Sequence, residues 1–272
     1  MDTYEKLQAA GRHLLKYNFH AKVAVVLGSG LGDFVKEIKI EHEIDYKEIP
    51  YFPVSTVKGH QGKLILGNIS GQPIIAMAGR FHYYEGYSPE EIIFPIRVMK
   101  YLGVQTVMLS NAAGAVDRNY KVGDLMIITD HISFMITNPL IGKNDDRLGT
   151  RFPDMSEPYN KELIARAKRI AEEKGITVRE GVYIAVTGPT FETRAEYKLI
   201  EIMGGSAVGM STVQEVIAAR HAGMDVFAMS VITDLGIREE DNIITHEEVL
   251  EAARNAEPSF AAIFRELIVS MS

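Results

Sequence analysis

Short runs of consecutive apolar residues alternate along this chain with stretches whose apolar positions recur every three or four residues. Runs of the first kind, bounded by turn residues, read as buried strands: Val23 to Leu27, Ile74 to Ala78, Val104 to Leu109, Leu125 to Thr129, Val178 to Val186 and Val226 to Ile232. Lys63 to Ile69 and Pro73 to Ala78 together predict a hairpin. Stretches of the second kind predict amphipathic helices. One runs through Leu7, Ala10, Leu14 and Leu15 and ends near Tyr17; others cover Pro89 to Leu102, Tyr159 to Lys174, Val213 to Ala222 and Thr245 to about Val269. Pro89, Glu90 and Glu91 suit a first turn, and Thr245-His246-Glu247-Glu248 has the form of a capping box. Residues 134–158 carry neither period and predict a long irregular segment, a feature that is uncommon inside domains and often functional. Alternating strands and helices define an α/β protein, and with no linker in 272 residues one domain, 1–272, is expected.

Polar residues gather where the strands end. Gly79-Arg80-Phe81-His82-Tyr83-Tyr84-Glu85-Gly86-Tyr87 follows the run at 74–78. In an extended chain Arg80, His82 and Tyr84 share a face, and a guanidinium, an imidazole and a phenol together form a donor cluster suited to an oxyanion such as phosphate. The plainer reading pairs Arg80 with a surface carboxylate and packs the two rings at an edge. Gly28-Ser29-Gly30-Leu31-Gly32-Asp33 follows the first strand, where backbone N–H groups and the Ser29 hydroxyl suit phosphate oxygens. Asp33 stands where a dinucleotide fingerprint needs its third glycine, and no Lys-Ser/Thr pair follows, so the loop suggests phosphate without NAD or ATP. His60, within Gly59-His60-Gln61-Gly62, fits a turn better than a catalytic role.

Small residues from Ser110 to Ala115 would let the backbone approach a ligand. Phe191 is placed to stack on a planar ligand while Glu192 accepts hydrogen bonds from its edge, or both simply start a helix. Ser211 or Thr212 suits an N-cap, which for Ser211 competes with a role in a site. Thr233-Asp234 closes the last strand, the position where open α/β sheets bind ligands. His246-Glu247 has Leu250, not histidine, one turn on, so it does not form a zinc helix and no metal site is expected.

Composition narrows the partners. A formal charge of −7 disfavours a general nucleic-acid or acidic-membrane surface, so any anion must be held locally. The absence of cysteine excludes disulfides, thiolate nucleophiles and cysteine–zinc clusters. The polar start, Met1-Asp2-Thr3-Tyr4-Glu5-Lys6-Leu7, lacks the basic flank and apolar core of a signal peptide, and no apolar run approaches the roughly 20 residues that span a bilayer. A cytoplasmic protein is the expectation.

Taken in order, Gly28-Ser29-Gly30-Leu31-Gly32, Gly59-His60, Gly79 to Gly86, Asn111-Ala112-Ala113-Gly114, Gly188-Pro189-Thr190-Phe191-Glu192-Thr193 and Val208-Gly209-Met210-Ser211-Thr212 resemble the trimeric purine nucleoside phosphorylases, from about residue 20 to 255. Each motif alone is weak; the ordered set is specific. The resemblance implies a distorted, mixed central sheet, partly barrel-like and surrounded by helices. It also implies reversible cleavage of a purine (deoxy)ribonucleoside by phosphate, giving free purine and pentose 1-phosphate. By position it implies a phosphate site at Ser29, Arg80, His82, Asn111, Ser211 and the Ala112 backbone, with His60 close by. Tyr84, Met210 and His246 fall in the sugar site, with Phe152 from a neighbouring subunit closing it, which implies a homotrimer. Phe191, Glu192, Val208, Gly209, Thr233 and Asp234 fall in the purine site, and His82, Glu192 and Asp234 are the catalytic candidates. As the glycosidic bond loosens, the sugar becomes cationic and the purine anionic. Phosphate beneath the sugar serves as nucleophile and counter-charge, so no covalent intermediate, metal or cofactor is required beyond phosphate as co-substrate.

One position departs from the family. Members that cleave 6-oxopurine nucleosides generally carry asparagine where this chain has Asp234. Asparagine can donate to O6 and accept from a protonated N7, whereas an ionised aspartate only accepts. Asp234 must therefore be protonated, displaced, or facing a 6-amino group, as in the related methylthioadenosine phosphorylases; burial can keep an aspartate neutral. Glu192, by contrast, matches a 6-oxopurine enzyme. The sequence thus predicts an inosine/guanosine phosphorylase, with a methylthioadenosine or adenosine phosphorylase as the nearest alternative. A nucleoside hydrolase would need no phosphate. A non-catalytic purine nucleoside-binding protein would gain nothing from the Arg80, His82 and Ser211 cluster.

Overall fold

The computed structural model describes residues 1–57, 60–237 and 244–271; Gly59 of the Gly59-His60 turn lies outside the described residues. The described residues form one nine-stranded sheet in the order β2-β3-β4-β1-β5-β8-β7-β6-β9, with β9 (Asp225–Leu235) pairing back onto β5 (Thr106–Ala115). That last pairing closes β5, β8 (Ala207–Gly209), β7 (Val178–Ala185), β6 (Leu125–Ile132) and β9 into a five-stranded ring. Parallel and antiparallel pairs mix around it: β5–β9, β6–β7 and β7–β8 are parallel, β5–β8 and β6–β9 antiparallel. The expected distorted, partly barrel-like mixed sheet is what forms. On the open side, β1 (Val23–Leu27) lies parallel between β4 (Gln72–Ala78) and β5, and β3 (Lys63–Ile69) forms the expected hairpin with β4. All five residues of β1 are buried, as its unbroken apolar run requires of a strand covered on both faces.

Helices clothe the sheet. α2 (Pro89–Tyr101) packs between α1 (Thr3–Leu15) and α5 (Val213–His221), and α6 (His246–Val269) packs on β9 and on α3 (Lys161–Glu173). The caps follow local chemistry: Ser88 with Glu91, and Thr245 with Glu248, form capping boxes that satisfy N-terminal N–H groups of α2 and α6. Residues 134–158 contain no helix or strand, as expected. Among the described residues no helix is long and apolar enough to cross a membrane.

Four expectations change. β5 does not stop at Leu109 but continues to Ala115, because β9 accompanies it over that whole length. β2 (Lys39–Asp45) was not anticipated: it is an edge strand with five of seven residues exposed, so no apolar run announces it. Neither Ser211 nor Thr212 caps α5 through its side chain; Thr212 sits at φ 73 without a capping hydrogen bond. Glu192 is not in a first helical turn, since α4 (Arg194–Ile202) starts two residues later behind its own Thr193 cap.

Candidate active site

The site opens where the sheet divides. β1 pairs with β5 only as far as Val26 opposite Leu109, and β8 takes up the same edge of β5 at Gly114 opposite Val208. Ser110 to Ala113 therefore border a gap between β1 and β8, and a cavity of about 490 Å³ fills it. A change of neighbour along a sheet is where α/β folds hold ligands. The cavity is lined by every residue the sequence nominated except His60 and Phe152.

One end is built around Arg80, whose side chain is 1% exposed. Its Nε donates to Glu215 Oε1 at 3.2 Å, its Nη2 lies 2.9 Å from Glu215 Oε2, and its Nη1 donates to the Ser110 carbonyl. Glu215, on α5, is itself 3% exposed, so each charge is buried against its counter-charge. His82 lies beside Arg80 on the wall, with Nδ1 2.8 Å from Glu85 Oε1. Burial lowers the His82 pKa below the usual imidazole value against the pull of Glu85. Burial raises the Glu85 carboxyl, but hydrogen bonds from His82 and Thr56 outweigh it and hold the group down at about 2. Beyond Ala78 the chain is no longer a strand, yet Arg80, His82 and Tyr84 do face one cavity; the Tyr84 ring stacks on His82 at 4.6 Å between centroids.

His60 stands behind this wall. Its Nε2 is 3.3 Å from Ser29 Oγ, its Nδ1 3.2 Å from the Arg80 carbonyl, and its ring stacks 5.5 Å from that of His82. Burial, then the neighbouring His82 and Arg80, push its pKa down to about 4. Ser29 is carried on a turn that only glycine suits: Gly30 has φ +77, and a Cβ there would lie 2.4 Å from the Ala253 methyl of α6. Across the cavity, Thr212 is held at positive φ, where its Oγ1 accepts from Asn111 Nδ2 at 2.9 Å and lies 3.1 Å from Ser211 Oγ. That placement explains why these hydroxyls do not cap α5. The Ser211 amide points to the buried Tyr183 hydroxyl at 3.4 Å, whose pKa burial pushes up to about 12.

The other end carries two acids, Glu192 and Asp234. Asp234 lies on β9 just after a register shift that leaves Thr233 as an extra residue opposite β5. Thr233 Oγ1 donates to Asp234 Oδ1 at 3.0 Å, and Gly114 makes room for the carboxyl, since a Cβ there would lie 2.6 Å from Asp234 Oδ2. Glu192 faces the same end, its pKa raised by burial and further by the charge of Asp234. Phe191, Val208, Gly209 and Met210 complete the walls, with His246 at the head of α6. Phe152 is 85% exposed with the Arg151 guanidinium 5.5 Å from its ring centre, away from this chain's own cavity.

Sequence reasoning missed Glu85 and Glu215, the two carboxylates that hold the cationic end, and Thr56, Val57, Pro189 and Val249 of the lining. A signal for Glu215 existed: a charge within a helix that is buried almost all round needs a buried partner.

The cavity lies at a sheet division, with Arg80, His82 and two serine hydroxyls at one end and two carboxyl groups at the other, an arrangement that suits a phosphorylase. In keeping with that geometry, residues 22–269 match the Phosphorylase superfamily. The chain is 50% identical over 257 residues to purine nucleoside phosphorylase 1 of Geobacillus stearothermophilus, covering 94% of each chain. It superimposes with a TM-score of 0.94 on isoform 2 of purine nucleoside phosphorylase from Schistosoma mansoni, solved with cytosine and ribose-1-phosphate, at 42% identity over 99% of this chain and 97% of that one. A Schistosoma mansoni purine nucleoside phosphorylase solved with adenosine gives a TM-score of 0.93 at 40% identity over 98% of both chains. The chain belongs to the purine nucleoside phosphorylase family, pentosyltransferases whose reaction is phosphorolytic cleavage of a purine nucleoside to free base and pentose 1-phosphate.

Proposed function

We propose that this enzyme cleaves inosine and guanosine, with inorganic phosphate as co-substrate and no further cofactor, as a cytoplasmic homotrimer whose protomers each work as one domain over residues 1–272. The observation that carries the reading is the polarity of a single cavity: Arg80, His82, Ser29 and Ser211 at one end, Glu192 and Asp234 at the other. Phosphate sits at the first end, within reach of Arg80, the Ala112 N–H and the two serine hydroxyls, with Asn111 and His60 bracing the wall. Tyr84, Met210 and His246 enclose the pentose between the two ends, and Phe152 of a neighbouring protomer covers it. The purine lies against Phe191, Val208 and Gly209. Its N1–H donates to ionised Glu192, while Asp234, oriented by Thr233, keeps a proton and donates to the base at N7 as negative charge develops there.

The attack needs no enzyme nucleophile. A phosphate oxygen bonds to C1′ as the C1′–N9 bond breaks, and the bonding electrons leave with the purine, which takes its proton at N7. The Glu192 pKa, raised by burial and further by the charge of Asp234, supports a proton held at this pair of acids. A 6-amino base is the second reading, favoured by the acidic side chain at Asp234 and by the schistosome relative solved with adenosine. Product analysis tests the main reading. Inosine with phosphate is expected to give hypoxanthine and ribose 1-phosphate in equal amounts; free ribose as the sugar product would make the enzyme a hydrolase.

A further inference from the structure

Counting charge at the cationic end leads to a result that is not apparent from its donors. Arg80 and Glu215 neutralise each other, with both side chains at most 3% exposed. Glu85 is ionised, held down at about 2. His60 is neutral near pH 7, and so is His82 before an anion arrives. The end that must accept an oxyanion therefore carries one net negative charge. Tyr84, stacked on the His82 ring, is a neutral phenol whose pKa burial raises.

Hydrogen-bond direction sharpens the problem. His82 Nδ1 is committed to Glu85 Oε1 at 2.8 Å, and because a carboxylate only accepts, Nδ1 is the protonated nitrogen. The His82 backbone N–H donates to the same oxygen at 2.9 Å, which locks the side chains together. Nε2 is the one ring nitrogen left for a ligand, and in the neutral ring it presents a lone pair. A lone pair facing an oxyanion is repulsive; a proton on Nε2 turns it into a charge-assisted donor backed by Glu85.

We propose that filling the phosphate end takes up one proton from solvent, bound at His82 Nε2, and that Glu85 is the positioning residue that makes this possible. The inference rests on the assignment of phosphate to this end. The balance is simple: enzyme, dianion and one proton give a complex in which an imidazolium lies between the Glu85 carboxylate and the anion. Glu85 stabilises the imidazolium once the anion has offset the cost of burying it. The anion raises the His82 pKa from its lowered value in the empty site, so uptake occurs between the two values, and affinity falls as pH rises through that window, by about tenfold per pH unit.

Sulfate is the probe that separates this from a proton carried by phosphate itself, because sulfate stays a dianion throughout the range. Calorimetric titration of sulfate into the protein near pH 7.5, in buffers of different ionisation enthalpy, is expected to show about one proton taken up per sulfate bound. His82→Gln should bind sulfate more weakly and with no uptake, and Glu85→Gln should lower the uptake. In the wild-type protein, the His82 ring nitrogen shifts should move from a neutral Nδ1–H tautomer to an imidazolium as sulfate is added, a readout that needs no variant to fold. Sulfate binding without proton uptake, or with uptake unchanged in His82→Gln, overturns the proposal. Failure of the wild type to bind either sulfate or phosphate, or equal sulfate binding by Arg80→Ala, would instead overturn the phosphate assignment beneath it.

Discussion

The two ends of the cavity solve opposite problems. At the proposed phosphate end the ionisable groups are held in contact pairs: Arg80 against Glu215, and the His82 ring against Glu85. At the proposed purine end Glu192 and Asp234 share a pocket, and the Glu192 pKa is raised by burial and further by the charge of Asp234. The first arrangement pre-organises donors, so that little reorganisation is needed when an anion enters. The second brings two acceptor groups together, which suits a ligand that brings N–H donors and a reaction that ends with a proton on the base. Opposite charges fix geometry at one end, and two like acids set the chemistry of the other.

The largest effect should come from breaking the paired end. Arg80→Ala leaves Glu215 as a buried charge alone, which is expected to cost about 3–5 kcal/mol of stability in thermal or denaturant unfolding. It should also lower phosphorolysis roughly a hundredfold or more, with a raised phosphate KM. Unchanged phosphate dependence would remove Arg80 from the site. At the acidic end, Asp234→Asn should shift the inosine-to-adenosine ratio of kcat/KM by roughly tenfold or more toward inosine, since asparagine always carries a donor. A constant ratio would show that Asp234 does not discriminate.

Acidity gives a subtler test of the same contrast. In the proposed complex Glu192 accepts from the base as a carboxylate, so kcat/KM for inosine should fall as pH drops through its pKa. Because burial and Asp234 raise that pKa, the acid limb should lie above the ordinary glutamate value of 4.5. In Asp234→Asn one of those causes is gone, and the limb should move to lower pH; an unmoved limb would uncouple the two acids. The smallest effect expected is that of Phe152→Ala, about a tenfold rise in nucleoside KM from loss of an apolar cover. Unaltered kinetics together with a monomeric mass in solution would break the neighbour-capping argument.

How much of this was legible in the sequence depended on how local the causes were. The strand runs, the capping box at Thr245 and the first turn of α2 at Pro89 act over a few residues, and they appear where expected. The Arg80, His82 and Tyr84 face was found from period-two alternation even though the chain turns into a 3-10 segment at Tyr83–Glu85. Glu215 was hidden because its reason to exist is Arg80, 135 positions away in the chain. β2 was missed because an exposed edge needs no apolar signature, and the lengths of β5 and β9 were underestimated because their mutual pairing, not their hydrophobicity, carries them on. The N-cap expected at Ser211 or Thr212 failed for a related reason. Asn111, from another strand, takes up the Thr212 hydroxyl and leaves the turn at positive φ, strain of a kind that collects at functional sites.

The central claim is that one cavity joins phosphate at its Arg80 end to a 6-oxopurine nucleoside at its Glu192 and Asp234 end. The most direct test is base release from inosine, guanosine, adenosine and methylthioadenosine, each with and without inorganic phosphate. Release from inosine and guanosine that requires phosphate is the predicted result, and it implies that Asp234 carries a proton in the complex. Release confined to the two 6-amino nucleosides, or release that proceeds equally without phosphate, would contradict it.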